Sequence, residues 1–345
     1  MEVLNNGDII TSGTTGDSAY IRRYTQDDSL LWERRFSFGP GPDNIRGMEV
    51  DSEGFLLCVG RTNFENQVST TFIFRYDFDA DQVLWNQRIN TPNSNRIQWI
   101  EENGSGGDYF VGGAVHAIGG PYNAVLYRLD RMTGIQVWGK QFASNSNVFR
   151  SVGAYGGDAY AVGYNQMANG LGTIRPLIEK MDADGNSVWR KAYFDTPGTA
   201  SRTYFEDIAF DADTVVAVGR GSLTTSGLAG SVILLAKIDS LDGSVFNQYS
   251  YALSSISSVD ELNRVTIEKV SSGGFIVVAF YKKLSIERIL TIRLDQNYEV
   301  LWARETGDAN ISFSLFESAI RDTDLLINGT VKDNSSGLLD QATIR

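Results

Sequence analysis

Apolar residues in this chain fall in short runs closed by glycine or acidic residues, such as Phe55-Leu56-Leu57-Cys58-Val59 before Gly60, and Val215-Val216-Ala217-Val218 before Gly219. Such runs are too short for helices. They are apolar at every position instead of every second one, which marks a strand covered on both faces. A longer polar stretch follows each run, then an apolar strand carrying one basic residue, then a tight Asp/Gly turn and a strand with a large aromatic. Residues 45–50, 55–59, 72–76 and 83–85 illustrate the sequence of four strands, with Asp51-Ser52-Glu53-Gly54 and Asp79-Ala80-Asp81 as turns.

This pattern repeats. The basic residue recurs as Arg23, Arg75, Arg128, Lys180, Lys237, Arg293 and Arg345, at intervals of 52, 53, 52, 57, 56 and 52. The aromatic follows as Trp32, Trp85, Trp138, Trp189, Phe246 and Trp302. The closing glycine recurs as Gly13, Gly60, Gly112, Gly163, Gly219 and Gly329, with Ala279 in the sixth unit. A sheet that is apolar on both faces must be sandwiched between others, and radial repetition does this without long exposed edges. The expectation is an all-β, seven-bladed β-propeller of four-stranded antiparallel blades with an incomplete last blade. It is expected to be one domain over 1–345, with blades near 1–36, 45–90, 96–143, 148–194, 203–251, 262–306 and 312–345. An open solenoid of the same units is the rival. Met1-Glu2-Val3 aligns with Met48-Glu49-Val50, so the chain enters within a first strand and leaves at the end of a third. The chain is therefore expected to be a module of a longer polypeptide, its last blade completed by a further strand in cis or in trans.

Net charge changes the list of partners. With 30 Lys and Arg against 42 Asp and Glu, the chain carries -12. Nucleic-acid binding draws its affinity from clustered basic residues, so no nucleic-acid partner is expected. No apolar run approaches the roughly 18 residues of a membrane helix, so no membrane span is expected. Cys58 sits inside an apolar run and reads as a buried, inert thiol. The residues from Met1 to Asn6 have neither the basic start nor the apolar core of a signal peptide.

Candidate chemistry is sparse. The recurrent strand-borne Arg or Lys reads as one half of an interblade ion pair that fixes register. Acidic turns such as Asp182-Ala183-Asp184-Gly185-Asn186 have the residues of tight connections and lack the spacing of a calcium loop. His116, the one histidine, cannot build a zinc site with Cys58 alone. No catalytic residue, metal site or cofactor is expected. The connections from second to third strand, and from fourth strand to the next first strand, are the longer ones, which makes the face they share the candidate binding surface. Arg61, His116, Tyr164 and Arg220, near the closing glycines, are the candidate ligand-binding residues.

Two stretches carry a resemblance: Leu177 to Trp189 (LIEKMDADGNSVW) and Ser272-Gly273-Gly274-Phe275-Ile276-Val277-Val278. They resemble the degenerate propeller repeats of large secreted and cell-surface proteins of the Bacteroidetes type, which bear a C-terminal sorting domain. That resemblance implies export to the cell surface or exterior. It also implies a non-catalytic binding or structural role toward a protein, a glycan or other domains of the same assembly. Asp130-Arg131-Met132-Thr133-Gly134-Ile135-Gln136-Val137-Trp138 is similar to the quinoprotein-type repeat, and reads as shared blade packing. The alternative function is a polysaccharide-active hydrolase or lyase with acidic residues in the central funnel.

Overall fold

The computed structural model describes residues 1–39, 41–63, 69–89, 94–116, 120–142, 146–166, 174–193, 202–225, 228–252, 261–283, 286–307, 311–321, 324–333 and 339–344. Regular structure in them is entirely β, in sheets whose strands follow chain order. No helix long and apolar enough to cross a membrane occurs among the described residues.

Blade 1 comprises Glu2–Val3, Ile9–Thr15, Ser18–Tyr24 and Leu30–Phe36; blade 2 comprises Asp43–Val50, Leu56–Asn63, Ser69–Asp77 and Gln82–Ile89. Blade 3 is built from Ser94–Glu102, Tyr109–His116, Tyr122–Leu129 and Gln136–Phe142, and blade 4 from Asn147–Tyr155, Asp158–Gln166, Ile174–Met181 and Ser187–Ala192. Blade 5 holds Thr203–Asp211, Thr214–Thr225, Leu228–Asp239 and Val245–Ala252; blade 6 holds Glu261–Lys269, Phe275–Lys283, Ile286–Leu294 and Val300–Thr306. Ile311–Arg321, Asp324–Asp333 and Leu339–Ile344 make a three-stranded sheet.

The expectation of seven blades is therefore corrected: six sheets are four-stranded blades, and the architecture is a six-bladed, all-β propeller of four-stranded antiparallel blades. The residues of the seventh sequence repeat form a three-stranded sheet. The residues form two compact units, 1–166 with 178–190, and 167–177 with 191–345.

Within the first unit, the double-sided apolar strands do what their composition requires. Leu57 and Val59 of blade 2 join Ile97, Ile100, Tyr109 and Val111 of blade 3, while Leu56 and Cys58 turn the other way against Ile10, Ala19 and Ile21 of blade 1. Cys58 is buried, and burial pushes its thiol well above its ordinary pKa. In the second unit Val216, Val218, Ile233 and Leu235 of blade 5 pack on Leu262, Val265, Phe275 and Val277 of blade 6.

The closing glycine has a specific cause. In blades 2 to 6 and in the three-stranded sheet, the first strand carries a β-bulge, and the residue before the bulge faces one position of the second strand. That position is Gly60, Gly113, Gly163, Gly219, Tyr281 and Gly329 in turn. A Cβ would meet the Asn44 carbonyl at 2.4 Å from Gly60, that of Arg96 at 2.2 Å from Gly113, that of Val148 at 1.9 Å from Gly163, and that of Tyr204 at 1.8 Å from Gly219. The bulge pushes a carbonyl onto the neighbouring strand, and glycine leaves room for it. The repeat marker in blade 3 is thus Gly113, not Gly112. In blade 6 the position belongs to Tyr281, two residues beyond Ala279.

A second bulge recurs between third and fourth strands, and there too one aromatic shifts. Arg23, Arg75, Arg128 and Arg293 stand directly across from Trp32, Trp85, Trp138 and Trp302, but Lys237 stands across from Asn247. Phe246 is the bulged residue, equivalent to Leu84, and is exposed. The ion pairs of these basic residues are chiefly within a blade. Arg23 meets Asp8, Arg75 meets Asp51, Arg128 meets Asp108 and Lys180 meets Asp158, each within 3.0 Å, using the aspartate beside the first turn. The interblade contribution is smaller, as in Arg23 with Asp79.

Candidate binding site

The longer connections prove shorter than the sequence suggests because strands extend into them. His116 ends the second strand of blade 3, paired with Ser94 and Tyr122, and is not in a loop. Arg61 and Thr62 continue the second strand of blade 2. Tyr164 and Arg220 are likewise strand residues, each directly after its closing glycine.

Of the four candidates, Arg61 and His116 lie on different faces: Arg61 points toward blade 3, whereas His116, next to Val115, points away from blade 2. Arg61 follows Leu57 and Val59 on the same face of its strand, because side chains alternate, and so points toward blade 3. It is half-buried, and burial followed by repulsion from Arg96 lowers its pKa. Arg96, on the first strand of blade 3, lays its guanidinium over the Tyr122 ring at 4.8 Å. The Tyr122 ring in turn contacts His116 at 4.5 Å between centroids. Arg96, Tyr122 and His116 thus form a chain of contacts within blade 3, on the face opposite Ile97 and Val115, which pack on blade 2, so Arg61 is not part of it.

Tyr164 and Arg220 have structural employment. Tyr164 carries the Arg150 guanidinium above its ring at 5.6 Å. Arg220 is paired with Glu206 at 2.9 Å, sits over Tyr204 at 4.9 Å, and donates to the Leu262 carbonyl. An arginine held by a carboxylate, a ring and a carbonyl has little left to offer a ligand.

A second group of side chains escaped the sequence reading. Glu2, Glu49 and Glu101 occupy the same place on the first strands of blades 1, 2 and 3, opposite Ile10, Leu57 and Phe110. Glu2 reaches the backbone of Val50, and Glu49 that of Glu102, so each spans to the next blade. Burial raises the Glu2 carboxyl to about 7, with the Met1 amine and the Val50 hydrogen bond opposing. Burial and then repulsion from Glu101 push Glu49 well above the carboxylate range. Glu49 Oε2 has no hydrogen-bond partner among the described residues. The signal was present in the alignment of Met1-Glu2-Val3 with Met48-Glu49-Val50, which places two carboxylates in register.

Among the described residues, no three His, Cys, Asp or Glu side chains are placed to hold an ion. The quinoprotein-like stretch serves blade packing. Asp130 Oδ1 accepts from the Thr133 N–H at 2.8 Å and its hydroxyl at 2.6 Å, shaping the turn that Gly134 completes with a positive φ of 67°.

No protein-family model and no curated protein matches the chain. Solved structures do. The chain is similar to a quinohaemoprotein alcohol dehydrogenase from Pseudomonas putida HK5, at 10% identity and TM-score 0.52, over 96% of this chain and 65% of that one. It is similar to the β-propeller domain of the Trilobed protease from Pyrococcus furiosus, at 8% identity and TM-score 0.56, over 97% and 89% of the two chains. An uncharacterised protein from Listeria monocytogenes EGD-e matches at 9% identity and TM-score 0.50, over 98% and 91%. The chain thus spans just under two thirds of the dehydrogenase's length. Likeness at such identities shows the β-propeller fold, and nothing of activity.

Proposed function

We propose that this chain is a non-catalytic binding or structural module, acting at the cell surface or outside the cell, that presents one face to a protein or glycan. The observation that supports the reading is Arg61, half-buried near the end of the second strand of blade 2, whose Nε–H is buried and has no hydrogen-bond partner. A half-buried arginine that meets no carboxylate among the described residues is costly for a fold, and such a cost is understandable where a ligand repays it. It is at a strand end, where a rigid scaffold offers side chains to a partner. The dehydrogenase and protease neighbours contribute only their fold to this argument.

A second reading, a polysaccharide-active hydrolase or lyase, draws on Glu2 and Glu49. A carboxyl group with a raised pKa is protonated near neutrality and can act as a general acid. One experiment separates the two. The purified chain is passed over a panel of immobilised polysaccharides and proteins, and released reducing or unsaturated ends are measured in parallel. Retention without product supports the module; product formation that Glu49→Gln abolishes favours the enzyme. Neither retention nor product counts against both.

A further inference from the structure

Buried polar side chains recur where the first strand of a blade begins, and one of them is a carboxylate. Two positions before Ile45, Ile97, Phe149 and Phe205, where the first strands bulge, stand Asp43, Asn95, Asn147 and Thr203, all buried. Asn95 Nδ2 donates to the Ile89 carbonyl at 3.2 Å, and Thr203 Oγ1 to the Ile174 carbonyl at 3.1 Å, each tying its strand to the blade before. An ionised aspartate at this place has no hydrogen to donate. Among the described residues Asp43 Oδ2 accepts from the Phe38 N–H at 2.5 Å, Oδ1 is buried without a partner, and no basic side chain pairs with either. Arg88, across from Phe72 on the same face, donates to the Phe38 carbonyl instead. A carboxylate buried without a counter-charge is costly, so one that persists points to a missing partner.

The strand register supplies further oxygens. Thr62 stands directly across from Asp43, and Thr70 directly across from Thr62. Thr62 alternates with Leu56 and Cys58, which pack on blade 1, so the three side chains make a row on the face toward blade 1. Asp43 and Thr62 are fully buried, Thr70 nearly so, and Thr62 Oγ1 is unpartnered as well. Gly39, in the connection from blade 1, lies over the row: a Cβ there would fall 2.5 Å from Thr62 Oγ1. Directly opposed residues have Cβ atoms roughly 4.5 to 5.5 Å apart. An ion with oxygen ligands at about 2.3 to 2.6 Å can bridge that span. A water molecule would satisfy the hydrogen bonds but leave the charge uncompensated; a cation does both.

We propose that Asp43, Thr62 and Thr70 hold a calcium ion where the connection through Ser37, Phe38 and Gly39 reaches blade 2. The donors are carboxylate and hydroxyl oxygens, with no nitrogen or sulfur, which suits a hard cation. Magnesium demands near-octahedral ligands and gives up water reluctantly, whereas calcium accepts an irregular set that waters complete. One carboxylate makes the site weak, with a dissociation constant of about 0.1 to 1 mM. The ion fixes a connection that belongs to the candidate binding face. This assignment is independent of what that face binds.

Calorimetric titration and thermal unfolding with calcium chloride, in buffer freed of divalent ions, test it. The wild-type chain should bind calcium saturably, and its unfolding temperature should rise over the same concentration range. Asp43→Asn should fold, because Asn95 and Asn147 occupy the same place in blades 3 and 4 and an asparagine oxygen still accepts from Phe38. That variant should lose both responses. Thr62→Val keeps the shape of the side chain and should weaken binding at least threefold. Magnesium chloride at the same concentration should raise the unfolding temperature less than calcium chloride. Absence of calcium binding, or a response of equal size in Asp43→Asn, would overturn the site. An equal response to magnesium chloride, or to sodium chloride at matched ionic strength, would overturn the assignment to calcium.

Discussion

Arg75 stands directly across the sheet from Trp85, so the two most regular markers of the repeat are cross-strand partners on the face toward blade 3. Arg75 continues to Asp51 at 2.7 Å, with side chains only 3% and 0% exposed, and Tyr109 donates to the same carboxylate at 2.8 Å. Asp51→Asn should cost about 3 kcal/mol, because it leaves the buried guanidinium with only the half-exposed Glu53 carboxylate. Adding Arg75→Met to Asp51→Asn should recover part of that loss, because Asn keeps the Oδ1 that accepts from the Glu53 and Phe55 N–H groups and no buried guanidinium is left. Urea unfolding of the single and double variants would check the order.

Trp85 is capped by blade 3. Its Nε1–H donates to the Arg131 carbonyl at 2.9 Å, and Gly134 lies on its ring. A Cβ on Gly134 would come within 2.4 Å of the indole, at a positive φ of 67°. Gly134→Ala should destabilise by about 2 to 4 kcal/mol, with quenching or exposure of Trp85 visible in its fluorescence.

Glycines of the two kinds should behave differently. Gly219→Ala puts a methyl 1.8 Å from the Tyr204 carbonyl, a backbone atom that can yield only if the bulge moves. A loss of more than about 3 kcal/mol is expected. Gly16→Ala meets nothing within 4 Å and has only its φ of 58° to strain, so about 1 kcal/mol is expected. Thermal unfolding of the pair checks the difference.

Glu2 makes stability depend on pH in the direction opposite to most carboxylates. Its folded-state pKa is raised from 4.5 to about 7, so the folded chain binds a proton that the unfolded chain releases. The stabilisation present below 4.5 is lost as pH rises to about 7, and Glu49 acts in the same sense. Urea midpoints measured from about pH 5 to about pH 8 should fall for the wild type, and fall less for Glu2→Gln. An equal fall in both would refute the assignment.

How much was legible depended on range. The turns were, since Asp51 Oδ1 accepts from the Glu53 and Phe55 N–H groups at 3.0 and 2.9 Å, an interaction contained within five residues. The double-sided strands were legible too, because Leu56 to Val59 leave no polar face. Tyr281 and Phe246 show where reading by residue type slips. Each bulge moves the register by one, and a bulge is set by how strands pair, not by either strand alone. His116 was marked for its place near a loop, yet Arg96 and Tyr122 were not, since nothing local joins three residues that meet only when the strands of blade 3 pair.

The sequence by itself determined the repeating four-strand unit, through period, turn chemistry and apolar runs that demanded cover on two faces. Tertiary structure decided which residue each bulge displaced and which charges found partners. Those outcomes follow from contacts between strands some 50 residues apart, such as Asp51 with Tyr109. Burial there sets the cost of every unpaired group, and no stretch of chain carries that information alone.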